Sequence, residues 1–117
     1  MTYIQFKQQN TLEERINESS RIIQKYRTRI PIIVEKSKGC SLCDIEKKKY
    51  LVPNEMTMSQ FIYIIRKKIN LKSHETLFVT VNNCLPESNI QLTTIYEKYK
   101  DEDGFLYVVY SSENTFG

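Results

Sequence analysis

Histidine and cysteine are scarce, with one His and three Cys in 117 residues. An odd number of cysteines does not make a disulfide framework, and it fits a reducing compartment better than an oxidising one. The lone histidine, His74, follows Ser73 at the end of a helical pattern, where a solvated side chain is the commoner outcome than a catalytic one. No apolar run approaches the length of a transmembrane helix, and a charged fraction of 26% excludes a span. The first residues, Met1-Thr2-Tyr3-Ile4-Gln5-Phe6-Lys7, lack the apolar core of a secretory signal, so a cytosolic or nuclear protein is the expectation. There is little excess charge. A net +3 suits acidic peptides or anionic lipid headgroups and is too small to argue for nucleic acid. No internal repeat or linker divides the chain, and its length gives one domain with a real core.

What is present is a legible series of elements. Residues 1–10 form a short polar-aromatic arm with room for one helical turn. Thr11-Leu12-Glu13-Glu14 is a capping box. Leu12, Ile16, Ile23 and Tyr26 then recur at helical spacing, which predicts a helix over about 12–26. Ile30-Pro31-Ile32-Ile33-Val34-Glu35 predicts a strand, with its proline tolerated at an edge or first position. A loop over 37–44 and a lysine run lead to Tyr50-Leu51-Val52-Pro53, so 30–53 reads as a hairpin. Thr57-Met58-Ser59-Gln60 is a second capping box. The helix behind it is the most apolar in the chain; Phe61, Ile62, Ile65 and Ile69 share one face and predict the filling of the core. A third strand follows over 76–81. A last short helix over 91–100 turns Leu92, Ile95, Tyr96 and Tyr99 inward. A terminal strand, Gly104 to Tyr110, starts from the turn pair Asp103-Gly104. Four strands and one long apolar helix predict an α+β domain, a sheet wrapped around a helix.

Two short stretches carry chemistry. Cys40-Ser41-Leu42-Cys43 is a C-x-x-C, either half a zinc site or a redox pair. With no second C-x-x-C and only Cys84 and His74 far along the chain, neither a metal nor a cofactor is expected, and a small thiol enzyme is the least favoured function. The other stretch is the tail, Ser112-Glu113-Asn114-Thr115-Phe116-Gly117. Glycine has no Cβ, so its carboxylate can enter a narrow channel and be activated there.

Arg29-Ile30-Pro31, Lys49-Tyr50-Leu51-Val52-Pro53, Phe61-Ile62-Tyr63-Ile64-Ile65-Arg66-Lys67, Ile95-Tyr96, Asp103-Gly104-Phe105-Leu106-Tyr107 and Glu113-Asn114-Thr115-Phe116-Gly117 occur in order. The series resembles the autophagy ubiquitin-like modifiers of the GABARAP and light-chain-three type, from about residue 12 onward. The resemblance implies a ubiquitin-like β-grasp, a four-stranded sheet on a central helix, with two additional N-terminal helices. It divides the chain into a helical subdomain over 1–28, a core over 29–111 and a conjugation tail over 112–117.

The same resemblance implies that Gly117 is joined to phosphatidylethanolamine by an activating and a conjugating enzyme, with a cysteine protease for processing and delipidation. The covalent catalysis would belong to those partners, so the chain itself is not expected to be an enzyme. The implied location is cytoplasmic when free and an autophagosomal or related membrane when lipidated. Cargo receptors would bind through W/F/Y-x-x-L/I/V peptides that add a strand to a sheet edge. By position, Glu18, Ile22, Pro31, Ile33, Lys49, Leu51 and Phe105 resemble the aromatic pocket for such peptides. Tyr50, Val52, Pro53, Met56, Phe61 and Ile64 resemble the aliphatic pocket. Arg29, Lys47 and Lys49 would face acidic peptide residues. Lys68 stands where the family commonly has arginine and, lacking the planar fork, would make less directional contacts. The family's second docking face, for ubiquitin-interacting-type helices, maps to Phe78 and Thr80, both expected to stand outward; the small, hydroxyl-bearing Thr80 predicts weakened binding there. A ubiquitin-like adaptor that docks peptides without being conjugated is the alternative.

Overall fold

The computed structural model describes residues 4–112. Its elements are α1 (Gln5–Gln9), α2 (Leu12–Lys25), β1 (Arg29–Lys36), β2 (Lys49–Pro53), α3 (Met58–Lys68), β3 (Phe78–Val81), α4 (Leu92–Tyr99) and β4 (Leu106–Ser111). The conjugation tail with Gly117 lies outside the described residues.

The four strands form one mixed sheet in the order β2-β1-β4-β3. The β1–β2 hairpin is antiparallel, β1 and β4 run parallel at the centre, and β3 closes the far side antiparallel to β4. One face carries Ile30, Ile32 and Val34 of β1, Val52 of β2, Val79 and Val81 of β3, and Leu106, Val108 and Tyr110 of β4. All pack into one core with Met58, Phe61, Ile65 and Ile69 around α3 and Leu92 and Ile95 of α4. Together with two added N-terminal helices, this is the ubiquitin-like α+β arrangement.

Both capping boxes form. The Glu14 amide donates to Thr11 Oγ1 at 3.1 Å and the Thr11 amide to Glu14 Oε1 at 2.7 Å. At α3 the Gln60 amide donates to Thr57 Oγ1 at 3.3 Å, and the Thr57 amide returns the bond to Gln60 Oε1 at 2.9 Å. Arg66, Lys67 and Lys68 sit in the last turn of α3, where cations suit the negative end of the helix dipole.

The expectation for Pro31 changes, and α2 packs by its polar residues. β1 is a central strand buried on both faces, which explains its near-continuous apolar run. Proline is tolerated there because pairing with β4 begins one residue later, at Ile32 opposite Leu106, so the missing amide costs no ladder bond.

Leu12, Ile16, Ile23 and Tyr26 lie along the flank of α2, each about 40% exposed, while Arg15 and Ser19 are buried. The polar residues turn inward because the sheet's outer face offers them a polar partner. Arg15 Nη1 donates to Asp103 Oδ2 at 2.7 Å, and the Ser19 hydroxyl donates to the Asp103 carbonyl. Asp103 is almost fully buried, and its carboxylate also accepts from the Phe105 amide at 2.8 Å and from the Tyr107 hydroxyl. Burial disfavours charge on Arg15, but the bonds to Asp103 and Tyr107 outweigh it and hold the guanidinium above its usual pKa. Gly104 makes this approach possible: it has φ +91°, and a Cβ there would collide with Ser19 Oγ.

α1 is fastened beside it. The buried Glu35 carboxylate accepts the amides of Gln5 and Phe6 at 2.7 Å each, capping α1 from β1. Lys7 pairs with Asp101 at 2.5 Å. The N-terminal helices are therefore locked onto the sheet face opposite the core.

Candidate functional site

β2 is an edge strand, and the hydrogen-bond phase of its pairing decides what that edge presents. The Val34 amide donates to the Lys48 carbonyl at 2.7 Å and the Asn54 amide to the Thr28 carbonyl at 3.0 Å. With Ile32 opposite Tyr50 and Ile30 opposite Val52, the even-numbered residues of β2 exchange bonds with β1. In an antiparallel pair the alternate residues point their amides and carbonyls away. Lys49 and Leu51 therefore offer backbone donors and acceptors to the open edge. One acceptor is already engaged: Arg29 Nη1 donates to the Leu51 carbonyl at 3.1 Å.

On the outer face of this edge lie the residues of the implied aromatic pocket. Glu18 of α2 accepts an ion-pair bond from Lys49 Nζ, tying the helix to the strand. Ile22 and Leu51 are half-buried. Pro31, Ile33 and Phe105 are buried, so they form a floor rather than open walls. Phe6, which the sequence reading did not single out, packs edge-on against Phe105 at 5.3 Å between ring centroids, with Lys49 Nζ 5.6 Å from its own ring centre. An aromatic inside a polar arm was the signal for it.

On the other side of the edge an open groove of about 680 Å³ runs between the end of β2 and α3. Pro53, Met56 and Ile64 line it as the resemblance implies, together with Glu55, Ser59, Gln60 and Tyr63. Tyr50, Val52 and Phe61 do not: they are core residues, 6%, 4% and 0% exposed, and Tyr50 meets Phe61 edge-on at 5.8 Å. Their side chains alternate inward from the strand, or face inward from the helix, and support the groove from beneath. Tyr63, at 58% the most exposed large apolar side chain among the described residues, was missed because helical spacing does not distinguish an exposed aromatic from surface variation. Lys67 Nζ lies 5.0 Å from its ring centre.

The cations expected to face acidic residues are dispersed. Lys47 Nζ sits 5.1 Å from the ring centre of Tyr50. Arg29 and Lys49 hold the contacts just given. Lys68 is exposed in the last turn of α3, one turn beyond Ile64.

The second face is not as expected. Phe78 and Thr80 do lie opposite the core-facing Val79 and Val81, but Phe78 is half-buried and Thr80 only 6% exposed. Thr80 Oγ1 donates to the Val109 carbonyl at 3.4 Å, so its hydroxyl is already out of water. It lies in a cavity of about 230 Å³ lined also by Ile4, Lys7, Tyr99 and Tyr107, because the N-terminal arm overhangs this side of the sheet.

Among the described residues no three His, Cys, Asp or Glu side chains gather as metal ligands, and no helix is long and apolar enough to cross a membrane.

This geometry has counterparts. A family model described as "Autophagy protein Atg8 ubiquitin like" matches residues 14–117. Autophagy-related protein 8a of Arabidopsis thaliana is 54% identical over 112 residues, covering 96% of this chain and 92% of its own. Autophagy-related protein 8 of Candida albicans is 50% identical over 113 residues, covering 97% of this chain and 84% of its own. Among solved structures, ATG8 of Trypanosoma brucei superposes with a TM-score of 0.90 at 38% identity, over 98% of this chain and 99% of the other. Plasmodium falciparum Atg8, in complex with a peptide of P. falciparum Atg3, gives 0.88 at 38% identity, over 95% and 98%. The chain belongs to the Atg8 family of ubiquitin-like autophagy proteins.

Proposed function

We propose that this protein is a modifier joined through Gly117 to phosphatidylethanolamine, and that it recruits partners by adding W/F/Y-x-x-L/I/V peptides to the β2 edge. The observation that carries the docking half is the phase of β2: Lys49 and Leu51 direct their backbone groups outward between a half-buried apolar site at Ile22 and Leu51 and the groove at Met56 and Ile64. A peptide strand there pairs its main chain with the edge, and its first and last side chains fall on those two sites. Phe6 shares the first site, so an incoming aromatic packs against it or displaces it.

The conjugation half is supported by family membership through residue 117 and by the relative that binds a peptide of its Atg3. The partners are then an activating enzyme, a conjugating enzyme, a processing and delipidating cysteine protease, and cargo receptors. The chain supplies the acyl group and the recognition surface, and the enzymes supply the catalysis. Free protein is cytoplasmic, and lipidated protein sits on autophagosomal or related membranes.

The test uses activating and conjugating enzymes, ATP and phosphatidylethanolamine vesicles, with products weighed. Wild type gains one lipid and Gly117→Ala gains none. Lipid on the alanine variant, or none on wild type, removes the conjugation half and leaves a peptide-docking adaptor. Leu51→Ala should weaken a W-x-x-L peptide by about tenfold, from roughly 1.5 kcal/mol of lost apolar contact.

A further inference from the structure

Charge is placed unevenly on this molecule, and the topology decides where. β1, α3 and β4 all end at one pole of the sheet, and β3 starts there, with Phe78 opposite Ser111. Two basic segments meet at that pole: the β1–β2 connection, 36–48, and the last turn of α3 with the loop after it, 66–75. Together they carry eight Lys and Arg against three Asp and Glu, whereas the rest of the chain carries nine against eleven. The opposite pole, residues 82–105 between β3 and β4, has five acids and two lysines.

Both basic segments are fastened to the root of the tail. The Ser37 amide donates to the Tyr110 carbonyl at 2.9 Å, and Lys38 borders a small cavity with Ser111 and Ser112. Arg66 Nη2 donates to the Lys72 and Glu75 carbonyls at 2.9 and 2.8 Å, which holds the loop that leads into β3 beside β4. Lys38, Lys47, Lys67, Lys68 and Lys72 are exposed. Of the acids, Asp44 stands 3.2 Å from Lys36, Glu75 accepts from the Lys72 amide at 3.0 Å, and Glu46 is exposed. Beside them a groove of about 500 Å³ is lined by Tyr63, Arg66, Lys67 and Leu71 among others, and by no carboxylate.

We propose that this pole is an interaction surface for a bilayer of anionic phospholipids, on which the lipidated protein stands tail end down. The inference rests on the conjugation of Gly117 proposed above. The six residues from Ser112 to Gly117 reach at most about 20 Å when extended. The domain measures 40 × 30 × 27 Å, so conjugation keeps the basic pole at the headgroups and the acidic pole away from them. Attraction of lysines to an anionic surface falls off within a Debye length, about 8 Å at physiological ionic strength, so the near pole decides the interaction. The groove takes a headgroup phosphate, with Arg66 and Lys67 in its wall.

Full-length unconjugated protein is sedimented with phosphatidylcholine vesicles, with and without phosphatidylserine, at low and high salt. It should bind only the vesicles that contain phosphatidylserine and leave them at high salt. Lys67→Gln with Lys72→Gln should weaken binding by about tenfold. Lys98→Gln with Lys100→Gln, the same loss of charge at the acidic pole, should weaken it by less than about twofold. On lipidated protein attached to such vesicles, Lys38, Lys67 and Lys72 should be shielded from acetylation while Lys98 and Lys100 stay open. Equal binding with and without phosphatidylserine would overturn the proposal, as would equal losses from the two pairs. Tighter binding to a single-stranded RNA oligomer at the same salt would assign the pole to nucleic acid and overturn it too. Wild type that gains no lipid would remove the conjugation reading instead, and sedimentation of the unconjugated chain would still decide the surface.

Discussion

Replacing Arg15 by methionine removes one half of the ion pair that fastens the N-terminal helices to the sheet. The Asp103 side chain has no exposure and Arg15 Nη1 donates to it at 2.7 Å, so the variant leaves a carboxylate stranded away from water. Breaking a buried pair on one side costs about 3–5 kcal/mol. Asp103 keeps the Phe105 amide and the Tyr107 hydroxyl, which places the expected loss at the low end, about 3 kcal/mol. For a domain of this size that corresponds to a fall in Tm of roughly 12 °C.

Urea unfolding followed by circular dichroism measures the loss. Arg15→Met combined with Asp103→Asn should recover part of it, because the stranded charge is gone, and the two changes should be clearly non-additive. Peptide affinity should fall as well, since Glu18 and Ile22 ride on the helix that Arg15 anchors. A loss under about 1 kcal/mol, or additive single changes, would refute the reasoning that this pair holds α2 in place.

Tyr50→Phe removes a buried hydroxyl that has no hydrogen-bond partner among the described residues, so stability should rise by about 1 kcal/mol in the same urea assay. Alkaline conditions should destabilise the fold. Burial pushes up Tyr50, Tyr96, Tyr107 and Tyr110, the last to about 12, with Asp103 adding to the effect at Tyr96 and Tyr107. Unfolded tyrosines release protons near pH 10 while the folded ones retain theirs, so stability falls as pH rises above about 10, by ~1.4 kcal/mol per pH unit for a tyrosine held as high as Tyr110. Urea midpoints at pH 9 and pH 11 check this, and Tyr110→Phe should reduce the slope by about one proton.

Local signals survived the passage from sequence to structure. Thr11 with Glu14 and Thr57 with Gln60 announce helix starts because all the groups involved lie within four residues. The β1 run is legible for a related reason, since burial on both faces leaves little room for polar residues. What was hidden depends on partners distant in the chain. The apolar spacing of α2 marks the helix without saying which side is buried, and Arg15 and Ser19 go inside because Asp103, more than eighty residues away, awaits them. Glu35 looks like the polar end of a strand and is in fact the cap of α1, thirty residues earlier.

The candidate site divides in the same way. Pro53, Met56 and Ile64 line the groove as family position implies, whereas Tyr50, Val52 and Phe61 are consumed by the core. Phe6 and Tyr63 border the two sites without having been singled out, because exposure beside an edge is a tertiary property. Thr80 was read correctly for its side of the strand but not for its burial, which the N-terminal arm imposes.

Amide hydrogen exchange along β2, with and without a saturating W-x-x-L peptide, tests the docking edge most directly. Tyr50 and Val52, already bonded to β1, should be protected in both states. Lys49 and Leu51 should exchange quickly in the free protein and slow by at least about tenfold when the peptide adds its strand. Unchanged exchange at Lys49 and Leu51 under saturation, or new protection at the opposite edge on β3, would contradict the account.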